Sequence, residues 1–193
     1  AWKQGTWIDR LAMGFSVLGF SVPVFVIGYA LIYLLAIELA WLPVQGYKPI
    51  AEGLRGFVSH LVLPTLALSV IYIALIARMT RTSVLDVLSE DFIRTARAKG
   101  LSSHVILVRH ALRNAAVPIV TVIGLGIALL IGGVVVTESV FSIPGLGRLT
   151  VDAVLARDYP TIQAVILLFS FVYVLLNLLV DLAYLWLDPR IRY

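Results

Sequence analysis

NAAVPIVTVIGLGIALLIGGVVVT, Asn114 to Thr137, runs for 24 residues without a charge. A helix needs about 20 mostly apolar residues to cross a bilayer, within a range of about 17–25. This stretch is therefore long enough to span and apolar enough to stay. Outward from it lie three more such runs: Leu11–Ile37 with 27 uncharged residues, Leu61–Ala77 with 17, and Tyr159–Val180 with 22. The composition agrees, with 61% hydrophobic and 13% charged residues and a mean hydropathy of +1.00. A soluble domain is nearer half apolar and a quarter charged. The predicted fold class is therefore all-α and polytopic, with four transmembrane helices in one domain over 1–193. The spans fall at about 11–37, 61–78, 115–137 and 160–185, with a connecting loop over 79–113.

The charges set an orientation. Arg78, Arg81, Arg94, Arg97, Lys99, Arg109 and Arg113 crowd the loop between the second and third runs, and Lys3, Arg10, Arg190 and Arg192 flank the ends. These are eleven of the 15 basic residues; Lys48, Arg55, Arg148 and Arg157 are the other four. An excess of Lys and Arg marks the cytoplasmic side, so both termini and the 79–113 loop are expected there. Trp2, Trp7, Trp41, Tyr47, Tyr159, Trp186 and Tyr193 fall near span ends, where amphipathic rings settle. Pro23 lies inside the first run and is expected to kink it. Gly124, Ala128 and Gly132 give the third run a small face suited to close helix packing, read as a contact within one chain.

The loop between Arg78 and Arg113 reads as two short helices around one glycine. Ser83-x-x-Asp86 is the pattern of a capping box opening a helix. Val84, Leu88, Phe92 and Ala96 recur every four residues as an apolar stripe. Acids lead (Asp86, Glu90, Asp91) and bases follow (Arg94, Arg97, Lys99), the order a helix dipole favours. Gly100 is placed to stop that helix. Ser102 or Ser103 then caps a second one, with Val105, Ile106, Val108 and Leu112 apolar and Arg109, His110 and Arg113 polar. A basic loop held to anionic lipid headgroups is the simplest reading; a protein partner is the other.

"RTARAKG" (Arg94–Gly100) followed by "HALRNAAVP" (His110–Pro118) resembles the cytoplasmic signature of bacterial ABC-importer permeases, in the B-type subunits of the dipeptide, oligopeptide and nickel uptake group. That signature reads Glu-Ala-Ala, three residues, Gly, nine residues, then Ile-x-Leu-Pro. Arg94-Thr95-Ala96 stand at its first three positions, Gly100 at its glycine, and His110 to Arg113 at its end. Arg94, Thr95 and Arg113 replace Glu, Ala and Pro, as in the peptide-uptake variant. "GTWIDRLAMGFSVLGFSVPVF", "ESVFSIPGLGRLTVDAVLARDYPTIQAV" and "NLLVDLAYLWLDPRIRY" are similar to the same group, so the likeness covers nearly the whole chain. It implies a non-catalytic permease subunit moving short peptides or a similar small solute inward. Arg94, Thr95, Ala96, Arg97, Ala98, Lys99, Gly100, Leu101, Ser102 and Ser103 would couple to ATP-hydrolysing subunits. It also implies a second homologous permease chain and an extracytoplasmic solute-binding protein. ATP and Mg would sit on the partner ATPases and no cofactor on this chain. The setting would be a bacterial inner membrane, with lipid and without nucleic acid as a partner. Such permeases usually begin with a further span, an outward domain and another span, so a C-terminal part of a longer permease is expected. "AWKQGTW" shows no leader-peptide pattern.

Polar residues inside spans are expensive and carry weight. Tyr173, Asn177, Asp181 and Tyr184 form one stripe on the last run, read either as a pathway lining or as helix-to-helix pairing. Glu138, at the outer end of the third run, is a candidate gate or a solvated end. "PGLGRL" (Pro144–Leu149) matches neither a dinucleotide nor a phosphate-loop pattern and reads as a turn. His60, His104 and His110 are scattered and suggest no metal site. No acid or base lies near a span centre and no repeat is visible, which weighs against an ion-gradient-driven secondary transporter. No nucleophile, base or metal set favours a membrane-embedded enzyme.

Overall fold

The computed structural model describes residues 4–187. Trp2, Lys3, Arg190, Arg192 and Tyr193, which entered the interface and charge arguments, lie outside the described residues. Among the described residues every regular element is helical. The chain starts with α1 (Trp7–Ser21) and α2 (Val24–Leu31), the latter continuing into a wide π-helical turn at Ile32–Glu38. A long α3 (Leu54–Leu88) follows, then α4 (Asp91–Ala98). Next comes a composite α5, in which Ser103–Val105 passes through a π-helical turn at Ile106–Ala111 into Leu112–Asn114. The chain continues through α6 (Ala116–Phe141), α7 (Leu146–Ala156) and α8 (Tyr159–Leu187).

Three of these helices, α3, α6 and α8, are long and apolar enough to cross a membrane, and a fourth crossing exists if the first two helices count as one. At 35 residues, α3 is about 52 Å long at 1.5 Å per residue, well beyond a hydrocarbon core of about 30 Å. Pro118 causes no break in α6 because it lies in the first turn, where its missing N–H would have had no helical partner.

The first run bends more sharply than a kink. Its two helices meet at 104°. Val22 sits in the extended region, with φ −94° and ψ 125°, where a residue before proline is driven by the proline ring. Pro23 itself has ψ 145°. Two successive residues thus leave the helical region, and the helix stops and restarts.

Glycines set the contacts on either side of this break. A Cβ on Gly19 would meet Ala74 and Val70 at 3.2 Å, and one on Gly28 would meet Val140 at 3.3 Å. So α1 lies against α3, and α2 lies against the end of α6. Gly124, from the small face, lies close to Val180 of α8, while Gly132 has open space.

Burial concentrates at the two ends of α3. One cluster joins Ile32, Ala36, Leu63, Ala67, Val140 and Phe141. The other joins Val84, Ile93, Ala96, Ile106, Ala111 and Ala115. Between them the helices present apolar surface outward, with only 6% of the apolar window of α8 buried. An apolar exterior of this extent needs lipid or other helices around it. The connection before α3 is tied to the first cluster: Phe141 O accepts the Gly46 N–H at 2.9 Å and Val140 O accepts the Gln45 side-chain amide at 2.9 Å. Those carbonyls at the end of α6 would otherwise lack partners.

Candidate functional site: the basic elbow

The segment from α4 to α5 forms a compact elbow. The Ser83-x-x-Asp86 box does not open it: α3 runs unbroken through Ser83, which is buried. The N-cap of α4 is Glu90, in extended conformation. Ile93 and Ala96, three residues apart, turn inward with relative exposures of 0% and 7%, whereas Phe92 is 42% exposed. The expected four-residue stripe fails at Phe92 because the chain breaks between Leu88 and Asp91 and resets the helical phase.

Gly100 ends α4 as expected, and the geometry shows why. Its φ is +78°, open to glycine without steric cost. The Leu101 N–H bonds back to Ala96 O at 3.3 Å and the Gly100 N–H to Arg97 O at 2.9 Å, the paired closure of a Schellman turn. Ser102 takes the N-cap position of α5. The π-helical turn then shifts the buried face to Ile106, Ala111 and Ala115, leaving Val108 and Leu112 exposed. A π turn adds a residue to the helical repeat, so a 3.6-residue stripe through Val108 and Leu112 misreads this arm.

Of the ten residues expected to couple, Ala96 belongs to the buried base of the elbow. Arg94, Thr95, Arg97, Ala98, Lys99, Gly100, Leu101, Ser102 and Ser103 are exposed. Arg94 meets Asp91 at 3.2 Å in an exposed pair, a contact of little energetic weight in water. Arg97 and Lys99 have no ion pair among the described residues. The base is shared: Val84 comes from α3, Ile93 and Ala96 from α4, Ile106 and Ala111 from α5, and Ala115 from the turn into α6. The elbow is thus joined through one packed cluster to two long helices, with its basic tip outward.

The whole chain, residues 1–193, matches the family described as "Binding-protein-dependent transport system inner membrane component". The chain belongs to that family. It is 61% identical over 193 residues to the "Probable peptide ABC transporter permease protein y4tP" of Sinorhizobium fredii, covering 100% of this chain and 62% of that protein. It is 50% identical over 192 residues to the "Glutathione transport system permease protein GsiC" of Escherichia coli K12, covering 100% of this chain and 60% of the relative. The chain thus spans about three fifths of the length of these curated relatives. That family is one of inner-membrane transport components, and three of the described helices are long and apolar enough to cross a membrane.

The remaining candidates do not converge with the elbow. Glu138, the candidate gate or solvated end, is half-buried and its carboxylate is engaged. Its Oε2 accepts the Arg148 N–H at 2.8 Å, so it caps the start of α7 from a neighbouring helix. Gly145 and Gly147 make the room: a Cβ on either would collide with the Glu138 carboxylate, and one on Gly147 would also come within 2.6 Å of Val135 Cα. The two glycines of "PGLGRL" therefore seat this carboxylate in a turn. Tyr173, Asn177 and Asp181 lie exposed on α8. Asn177 donates to Tyr173 O of its own helix at 3.0 Å, and Asp181 has no ion pair among the described residues. Tyr184 of the stripe hydrogen-bonds another helix, donating to Thr121 Oγ1 of α6 at 2.7 Å.

Sequence reasoning missed one pair. Asp9 of α1 accepts two hydrogen bonds from Arg81 of α3, Nε to Oδ1 at 2.6 Å and Nη2 to Oδ2 at 2.8 Å. The Gly5 N–H also donates to Asp9 Oδ2, at 3.0 Å. The signal was there: Asp9 is the sole acid before Glu38, placed directly before an apolar run.

Proposed function

We propose that this chain forms part of the membrane pathway of an ATP-driven importer for short peptides or a similar small solute, glutathione-like tripeptides included. ATP and Mg are bound and hydrolysed by partner subunits, and the 90–113 elbow transmits that work. Its permease dimerises with a homologous chain and receives solute from an extracytoplasmic binding protein. The broken first pair counts as one span, which gives four crossings here, with the elbow and both ends of the chain on the cytoplasmic side of the inner membrane.

One observation carries this reading: a basic tip, open to solvent, stands on a packed base shared by α3, α4, α5 and the entry to α6. A partner that pushes the tip moves two long helices at once. A loop serving only to hold lipid headgroups needs its positive charge but no such base. Family membership and the names of the relatives support the solute class.

These 193 residues hold no cysteine, so within them an introduced one reports alone. Ala98→Cys in the full-length permease is paired with single cysteines in the surface of its ATPase subunit, and cross-linking is followed in membranes with and without ATP. A specific cross-link that blocks uptake is expected. Absence of any cross-link across Arg94–Ser103, with the subunits assembled, would return the elbow to the lipid surface.

A further inference from the structure

The join between α1 and α3 is made at two places of different kinds. Towards the break, packing makes it, with Gly19 set against Val70 and Ala74 at van der Waals distance. Towards the elbow a cleft of about 330 Å³ opens beside the two helices, lined by Ile8, Ala12, Met13, Ala77 and Thr80. Asp9 and Arg81 bridge that cleft with two parallel hydrogen bonds. The Asp9 side chain is only 8% exposed and the Arg81 side chain 24%. A bidentate carboxylate–guanidinium pair fixes orientation as well as distance. Its removal from one side only leaves a charge stranded in a poorly solvated place.

Geometry gives the pair a mechanical setting. Arg81 lies seven residues before the end of α3 at Leu88, about two helical turns from the elbow. Beyond Ser21, the 104° break separates α1 from α2, and α2 packs with the opposite cluster at Leu63, Val140 and Phe141. So α1 is attached to the elbow half of α3, while α2 is attached to the far half and to α6.

We propose that Asp9 and Arg81 are positioning residues that lock α1 to the elbow-proximal end of α3, so that the two helices move as one lever about the Val22–Pro23 break. The inference rests on the coupling reading of the elbow and adds a route by which its movement reaches α2 and the far cluster. Without the lock, only the Gly19 contact would hold α1 to α3, and the elbow-proximal end of α3 would move without carrying α1 with it.

The test uses the full-length permease assembled with its partner subunits in proteoliposomes. Asp9→Asn, Arg81→Gln and the exchanged pair Asp9→Arg with Arg81→Asp are compared for solute moved per ATP hydrolysed, with the Ala98→Cys cross-link as a separate readout of docking. Each single variant is expected to lower the transport-to-hydrolysis ratio about tenfold while the cross-link persists. The exchanged pair should recover several-fold over either single variant, incompletely because the Gly5 N–H then loses its acceptor. Single variants that keep the ratio within twofold of the parent would overturn the proposal. So would a loss of uptake that follows loss of assembled, cross-linkable protein and is not recovered by the exchange, since the pair would then only hold the fold. A missing cross-link in the parent itself would count against the docking reading instead, and the comparison of single and exchanged variants would still decide the lever.

Discussion

Two corners of this permease turn on glycine for opposite reasons. At Gly100 the backbone demands it: φ is +78°, and a Cβ would find nothing within 4 Å. At Gly145 and Gly147 the surroundings demand it. Gly145 has an extended backbone, φ −121° and ψ −177°, that any residue adopts, but the Glu138 carboxylate fills the space where a side chain would begin. The first corner is open and its polar groups face solvent. The second is closed by a side chain of its own chain, which satisfies the helix start that a partner or water would otherwise satisfy. A corner left open is available to something else, and that is the reading given to the elbow.

The sharpest way to break this contrast is Gly147→Ala. The new methyl would press on the backbone of Val135, 2.6 Å away, where no rotamer change relieves it. Overpacking of this kind costs about 1–3 kcal/mol, so the purified permease should lose about 2–12 °C in Tm. Uptake should fall with it, because α6 and α7 must part. An unchanged Tm would mean that the corner is looser than the close approach implies.

Gly100→Ala comes next. Placing an ordinary residue in the left-handed region costs about 1–2 kcal/mol, yet nothing nearby would clash. The expected result is a Tm lower by about 2–8 °C, with Gly100→Asn milder and Gly100→Val worse. Uptake should fall more than stability does if the tip must fit a partner. Equal tolerance of Ala, Asn and Val would show that the turn is not held at positive φ.

At the closed corner, Glu138→Ala removes a helix cap worth about 1 kcal/mol and should lower Tm by about 2–4 °C. Gly145→Ala should cost about the same, because its methyl expels the same carboxylate. The double variant then costs little more than either single one, as expected for residues sharing one interaction. Additive losses, measured by thermal unfolding of all three, would separate the glycine from the cap.

Much of this was legible in the residues, and the failures have physical causes. The uncharged run ending at Val180 lies within α8, and that ending at Thr137 lies within α6 but for its first two residues, because long apolar stretches favour a helix in a bilayer. The stop at Gly100 was readable because a positive φ has a strong residue preference. At Val22–Pro23 the sequence reads as a kink, since a proline specifies a lost hydrogen bond but not how far the chain turns; here two successive residues leave the helical region and the helix stops and restarts. Ser83 carries the pattern of a cap, but it is buried within a helix that runs on unbroken to Leu88. The stripe through Val108 and Leu112 failed because a π-helical turn changes the period. Glu138 had no local signal: its role depends on glycines seven and nine residues later, and only the fold brings them together.

A third corner, between α7 and α8, gives the smallest effect and a pH signature. Arg157 turns it with φ +56°, and Asp158 closes it by accepting the Thr161 hydroxyl at 2.6 Å and the Thr161 N–H at 3.3 Å. These two hydrogen bonds, the hydroxyl first, hold the Asp158 carboxyl below its ordinary value of 3.8. A carboxyl depressed by folding stabilises the fold above its unfolded value, and that contribution is lost as pH falls through the folded one. The Tm gap between the parent and Asp158→Ala should therefore be constant from neutral pH down to about pH 5, then narrow as the medium becomes more acidic. It should not widen. A gap that stays constant to pH 3 would mean that the protonated acid caps Thr161 as well as the carboxylate does. This corner would then be closed by geometry alone, as Gly147 is at its neighbour, with charge contributing nothing.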